Sequence, residues 1–404
     1  MCAVNVRTGP HKTSRIKAII KTGTRVTAVA RVTGGAWRAR CGSKTVSGRS
    51  WYRITAINGR SVKARYGVRY LYAAAGLFRS APTPVPATTP TPTPTGTAVT
   101  CDATFTTLPS MTTDQSSLIA NFLSTNVGKR VCLGSGATYR VDARIQLSGW
   151  TGTIYGRGAT LKRVSTTSGL DAVLRFVQGH DITIDSLNVA GPATAADVTG
   201  WTSWAREGEH ALYIDSGARI TVTGGSFTHT WGDGIYLAAR DNCSGNFCGA
   251  PDTITLRGFS ATTNGRNSVS ITDGRNIALS DCHSDLTGLT GLDNEPNAAG
   301  DTIANISVRR CAFSRFNAGH TPSSSGNGYA IYASAGQAPT VGMVIDSNTF
   351  DIGQIYVIAP TGTRNSGLTV TNNSARAPGE LTVGRTDGLT VSGNSNITHN
   401  SVYP

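Results

Sequence analysis

The sequence predicts an all-β protein of two modules: a small barrel followed by a long solenoid of short parallel strands. Three observations carry this. A Pro/Thr-rich spacer interrupts the chain at residues 81–100. Charge is partitioned sharply across that spacer. Beyond it, short β runs recur so that like residues fall on like.

The all-β class follows from what is scarce. Only 15% of the 404 residues are charged and 3 are methionine, whereas 47 are glycine, so few segments read as long amphipathic helices. No apolar run approaches the ~20 residues needed to cross a bilayer, so no membrane span is expected. The N-terminus carries no signal-peptide pattern and reads as a mature start. The eight cysteines fall into plausible pairs, Cys2–Cys41, Cys101–Cys132, Cys243–Cys248 and Cys282–Cys311, without the C-x-x-C spacing of a zinc site. An even count beside a Thr/Pro spacer indicates an oxidising, extracellular setting. The bland alternative is buried thiols, above all a stacked Cys282 and Cys311.

Residues 1–80 hold 17 of the chain's 37 Lys and Arg and none of its 23 Asp and Glu. Such a module seeks a polyanion: nucleic acid, a membrane surface or an anionic wall polymer. Its runs Arg25–Val32, Ser50–Ile57 and Arg69–Tyr72 alternate as strands do, and Asn58-Gly59 signals a hairpin turn. Val4–Pro10 (VNVRTGP) and Tyr66–Tyr72 (YGVRYLY) resemble the opening and closing strands of the bacterial SH3-like domain, over residues 3–79. The resemblance implies attachment to an anionic bacterial cell-wall polymer, without catalysis, and argues against a nucleic-acid partner. The stretch Trp37–Gly48 departs from the family's short pattern. Residues 81–100, with six of the chain's 16 prolines, form an extended polyproline II spacer.

In residues 101–404 the β runs align on an aliphatic anchor at Ile184, Val222, Leu256, Leu279, Val308, Ile345, Val370 and Val391. Three places on stand Leu187, Gly225, Phe259, Cys282, Cys311, Asn348, Asn373 and Asn394. Clustering of Cys with Cys and Asn with Asn is what stacking of coils ~4.8 Å apart produces, and Asn ladders satisfy buried backbone groups at a bend. This pattern, with Gly232–Leu237 (GDGIYL), resembles the right-handed parallel β-helix of the pectate-lyase-like superfamily. That superfamily hosts lyases, hydrolases, epimerases and inert adhesins, so the resemblance implies fold and carbohydrate, not reaction.

A second set of strands aligns as His210–Asp215, Asp233–Ala238, Asn267–Thr272, Thr290–Glu295 and Asn327–Tyr332. Leu212, Ile235, Val269 and Leu292 then point inward, leaving three outward columns. These are His210, Asp233, Asn267, Thr290; then Tyr213, Tyr236, Ser270, Asp293, Ala330; then Asp215, Ala238, Thr272, Glu295, Tyr332. Acids and aromatics on one sheet face are the mixture a sugar site needs. Asp293 and Glu295, two apart on one strand and roughly 7 Å apart at Cα, are the candidate acid/base pair, assisted by Asp233. His210, Tyr213, Tyr236, Asn267, Arg266 and Trp231 are the candidate substrate-binding residues, with Trp201 and Trp204 as further platforms. Glu207 and Glu209 are weaker candidates in a loop at the rim.

The expected function is therefore a secreted or wall-associated glycoside hydrolase acting on polysaccharide, requiring no cofactor. Two alternatives stand beside it. Asn267, Asp293 and Glu295 resemble the calcium-binding trio of the chondroitinase B and alginate lyase type, which implies calcium. That family's lysine base falls near Gly300 here, so a lyase would need an arginine such as Arg266. The other alternative is a non-catalytic glycan-binding adhesin. The N-T-D, D-D and G-H-G series of polygalacturonase-type hydrolases does not occur.

Overall fold

The computed structural model describes residues 4–21, 24, 26–41, 44–57, 60–78, 99–200, 206–239, 247–316, 328–334 and 337–402. Cys2, Asn58-Gly59, most of the spacer, Trp201, Trp204, Cys243 and Asn327 lie outside these residues. The chain divides into two compact units, Met1–Ala98 and Val99–Pro404.

The first unit is an antiparallel sheet ordered Ile16–Ile20, Val4–Arg7, Leu71–Ala74, Lys44–Ile57, Val26–Cys41, which fits a small barrel. Val6, Ile54, Val62 and Leu71 are fully buried in its core. The Trp37–Gly48 stretch is the tip of a long hairpin between the last two strands. Trp37 and Trp51 are buried there, their indole N–H groups donating to the Ser50 and Gly35 carbonyls at 2.9 and 2.8 Å. Both are core residues of this unit.

The second unit is a right-handed parallel β-helix with three strands per coil and three faces. One face runs through His180–Asp185, Ala218–Thr223, Asp252–Arg257, Gly274–Ser280 and Ile303–Arg309. A second runs through Asn188–Ala190, Ser226–Thr228, Ser260–Asn264, His283–Thr287 and Ala312–Ser314. The third runs through His210–Asp215, Ile235–Ala238, Val269–Ile271, Leu292–Asn294 and Ile331–Ser334. The predicted anchors from Ile184 to Val391 sit in one register. They form part of one continuous apolar core, each buried Val, Leu or Ile side chain contributing ~1.5–3 kcal/mol.

The bend from first to second face is always two residues on these eight coils, and its first residue is left-handed. Ser186, Asp281, Arg310, Ser347 and Asn372 have φ of 53°, 55°, 52°, 58° and 56°, and glycine supplies the same turn at 224, 258 and 393. The second bend residue is the predicted ladder. Asn348 N–H and side-chain N–H both donate to Asn373 Oδ1, at 2.9 and 3.0 Å, and Asn373 repeats this onto Asn394. Cys282 and Cys311 form a disulfide rather than a thiol stack, because in-register neighbours with Cα atoms 4.4 Å apart lie within bridging reach. Cys101–Cys132 is also bonded, and so is Cys248.

The helix Ser116–Ser124 packs on Ile145–Ser148, the first strand of the third face. It buries Ile119 and Leu123 and accepts the Trp150 indole N–H on the Leu123 carbonyl at 2.8 Å.

Candidate active site

The third face begins at a bend where each coil's side chain accepts the next coil's backbone N–H. Asp233 N–H donates to His210 Nδ1 at 3.1 Å, Asn267 N–H to Asp233 Oδ1 at 2.9 Å, and Thr290 N–H to Asn267 Oδ1 at 2.9 Å. The predicted first column thus exists, and its members are buried. His210 and Asp233 thus serve the structure through a hydrogen bond at the coil's edge. It leaves Asp233 Oδ2 free to face His210 Nδ1 at 3.2 Å and Arg266 Nη1 at 3.8 Å.

The second column holds Tyr213, Tyr236, Ser270 and Asp293 in register, but the fifth strand is displaced by two residues. Ile331 pairs with Leu292 and Tyr332 with Asp293, while Ala330 is buried. A two-residue slip preserves the in/out alternation, so pattern alone could not detect it. Tyr332 and Tyr356 stack with centroids 5.5 Å apart, two tyrosines beyond Asp293. On the other side Tyr236 stacks on His210 at 4.3 Å, and Tyr213 meets Tyr236 edge-on at 5.0 Å. A line of aromatic side chains therefore flanks the acid position at both ends of the face.

Arg266, in the bend before Val269–Ile271, is the centre of charge. Its Nη1 lies 3.7 Å from Glu207 Oε2 and its Nη2 lies 3.8 Å from Glu295 Oε2. Burial weakens the guanidinium, but Asp233, Asp293, Glu207 and Glu295 outweigh it and hold the cation above the ordinary arginine range. Burial, then the Glu295 charge, pushes the Asp293 carboxyl well above its usual value, against the pull of Arg266 and of a 3.1 Å hydrogen bond from the Asn267 amide. Glu295 is raised too, by burial and by Asp233 and Glu207, while Arg266 and a hydrogen bond from Asp293 oppose the shift. Burial also acts on Asp233, yet Arg266, His210 and the Asn267 N–H win and its carboxyl ends below the usual value. One cluster thus holds one carboxyl pushed below its usual value beside two pushed above theirs.

Not every predicted residue joins it. Trp231 lies beneath Arg206, whose guanidinium sits 4.2 Å from the ring centroid, so one face of this platform is covered. Glu209 is buried between Arg163 and Arg206, each donating at 2.7 Å, and serves the loop rather than the cleft. Tyr213 carries the Arg175 guanidinium at 4.7 Å. The central position of Arg266 was not legible from periodicity, since it stands one residue before the aligned column.

No family model and no curated protein matches the sequence. Among solved structures, an alginate lyase from Paenibacillus sp. str. FPU-7 is similar at 14% identity and a TM-score of 0.48, over 75% of this chain and 99% of that one. An endo-xylogalacturonan hydrolase from Aspergillus tubingensis is similar at 14% identity and 0.45, over 74% and 99%. A surface adhesin of Streptococcus pneumoniae is similar at 11% and 0.40, over 72% and 90%. The chain also spans 58% of the length of the Geobacillus virus E2 ORF18 protein, at 13% identity and 0.43, over 72% of itself. Likeness at this level leaves the reaction to the residues above.

Proposed function

We propose that this protein is a secreted glycoside hydrolase that cleaves a polysaccharide laid along the third face of its β-helix. Its basic first 80 residues hold it to an anionic bacterial cell-wall polymer, as their SH3-like resemblance implies. The observation that carries the reading is the cluster of carboxyls gathered around Arg266. Burial raises Asp293 and Glu295 so that the pair holds a proton more readily, while Arg266 keeps Asp233 beneath them low and ionised. Glu295, with a side chain 44% exposed, is the member that reaches substrate. It delivers the proton to the glycosidic oxygen as that bond breaks, and Asp293 holds the proton in reserve. The Asp233 charge helps keep the pair protonated and favours the positive charge developing on the sugar ring.

The calcium-dependent lyase fits the donor set poorly. Asn267 Oδ1 already accepts both the N–H and the hydroxyl of Thr290, at 2.9 and 2.8 Å, so the residue turns an N–H toward Asp293. The Arg266 guanidinium already stands within 3.8 Å of Glu295 Oε2, and hard cations want oxygen on every side.

Digestion of a polysaccharide panel, followed by mass spectrometry, reducing-end assay and ultraviolet absorbance, tests the reading. Products one water heavier than the cleaved chain, without new absorbance, are expected. Unsaturated, absorbing products would replace the hydrolase with a lyase. Binding with no product across the panel would replace it with an adhesin.

A further inference from the structure

We propose that Glu207 is the second catalytic carboxylate, the general base opposite the Asp293–Glu295 pair, and that cleavage inverts the anomeric carbon. This rests on the hydrolase reading. Of the acids around Arg266, Asp233 is 0% exposed at its side chain and commits Oδ1 to the Asn267 N–H, so it cannot touch a sugar or a water above the face. Glu207 and Glu295 are 45% and 44% exposed, and they stand on different arms of the same guanidinium. Both contacts are longer than a hydrogen bond. Arg266 therefore orients the two carboxylates electrostatically and leaves their lone pairs available to water and sugar.

The fold seats Glu207 deliberately. Gly232 packs directly beneath its backbone: a Cβ at 232 would lie 2.2 Å from the Glu207 carbonyl oxygen. Gly232 N–H donates to the Glu209 carbonyl at 3.0 Å, and Arg266 N–H to the Gly232 carbonyl at 3.1 Å. The loop bearing Glu207, Gly232 and Arg266 therefore follow one another on successive coils. With no side chain at the middle position, the outer two meet across it. The loop is pinned two residues later by Glu209, which Arg163 and Arg206 grip from both sides. A loop acid held this way is placed as firmly as one on a strand.

Hydrolysis then balances simply. Glu207 takes a proton from water, whose oxygen bonds to the anomeric carbon. The glycosidic C–O bond breaks, and its electron pair receives the proton of the Asp293–Glu295 pair. One water is consumed, and solvent resets both carboxyls. A base that activates water directly inverts the anomeric carbon, and such a pair stands ~6.5–9.5 Å apart, wider than the ~5–5.5 Å of a retaining pair, to leave room for that water.

The test uses the full chain on the polysaccharide from a panel of alginate, homogalacturonan, xylan and acidic capsular polysaccharide that yields reducing ends. Proton NMR of the first wild-type product should show the inverted anomer. Glu207→Gln should lower kcat by about 10²–10⁴-fold with little change in KM. Formate should restore part of the turnover of Glu207→Ala. A retained anomer, or a Glu207→Gln variant within threefold of wild type, overturns this assignment and leaves the hydrolase standing. A wild type giving only unsaturated products, or none on any panel member, overturns both.

Discussion

Replacing Arg266 by Met keeps the aliphatic stem and deletes the charge, which isolates what holds the cluster together. Removing one partner of a buried ion pair costs ~3–5 kcal/mol because the other charge is left behind. Here that charge is Asp233, fully buried, with the Asn267 backbone N–H as its remaining hydrogen-bond donor. A loss near the lower figure, about 3 kcal/mol at pH 7, is therefore expected. The pH dependence has a definite sign. In the wild type Asp233 sits below its usual value, so it contributes stability at neutral pH that is lost as pH falls through its folded pKa. In the variant, burial prevails and lifts Asp233 above its unfolded value. Its penalty is then full at high pH and fades as pH falls. Asp293 and Glu295, which also lose the pull of Arg266, add to the same trend. For a unit of this size each kcal/mol moves Tm by about 2 °C, so the deficit should be about 6 °C at pH 7 and shrink steadily towards pH 5. Thermal unfolding of both proteins across pH 5–8 measures it, and Arg266→Met with Asp233→Asn should recover most of the loss. A deficit below ~1 kcal/mol, or one that stays constant across that range, would refute the account of Arg266 as the neutralising centre.

Asp293→Asn should abolish the proton reserve, lowering kcat by about 10²–10⁴-fold with glycan affinity kept. Because the folded Asp293 is raised, wild-type stability falls as pH climbs through that value; the variant's Tm should therefore exceed the wild type's at pH 8 and match it at pH 4. Asn373→Ala removes the acceptor of the Asn348 N–H and the donor to the Ile345 carbonyl, and denaturant unfolding should show a loss of ~3 kcal/mol with activity intact below the melting point. Replacing Cys282 and Cys311 by Ser opens a link between residues 29 apart and should cost ~3 kcal/mol, measured the same way. Deleting residues 1–98 should leave turnover on soluble glycan unchanged and abolish salt-sensitive binding to anionic cell walls, as a pull-down at low and high salt would register.

The solenoid was legible because its signal is redundant. Every anchor from Ile184 to Val391, and every ladder residue after it, repeats one local requirement, so a single weak motif could be checked against seven others. The acid face was legible for a similar reason through Leu292, where inward aliphatics tie the alternation to the core. It failed at Asn327–Tyr332, where the long connection 315–330 removes the length cue and a slip by two costs the pattern nothing. The sequence offers Arg266 as a binding residue or a lyase's base, not as a centre of charge, and places Glu207 at the rim. Their meeting depends on Gly232, whose role is to have no side chain, and an absence of atoms at one position carries no periodic signature. The disulfide at Cys282 and Cys311 was likewise open from sequence, since thiol stacking and bridging demand the same register.

The fixed two-residue, left-handed bend between the first and second faces has a consequence for how such a protein can diversify. Insertion or deletion there would break the turn and the ladder on every adjoining coil, so that seam is closed to length variation. The connections entering and leaving the third face, such as 191–209, 239–251 and 315–330, differ in length from coil to coil along one chain. New specificities can therefore be acquired by exchanging these segments, as tools in a common handle, while the coil path stays the same. The same separation suits engineering: glycine at Ser186 or Ser347 would relieve a left-handed side chain far from the cleft and could gain up to ~1 kcal/mol each without altering what the cleft recognises.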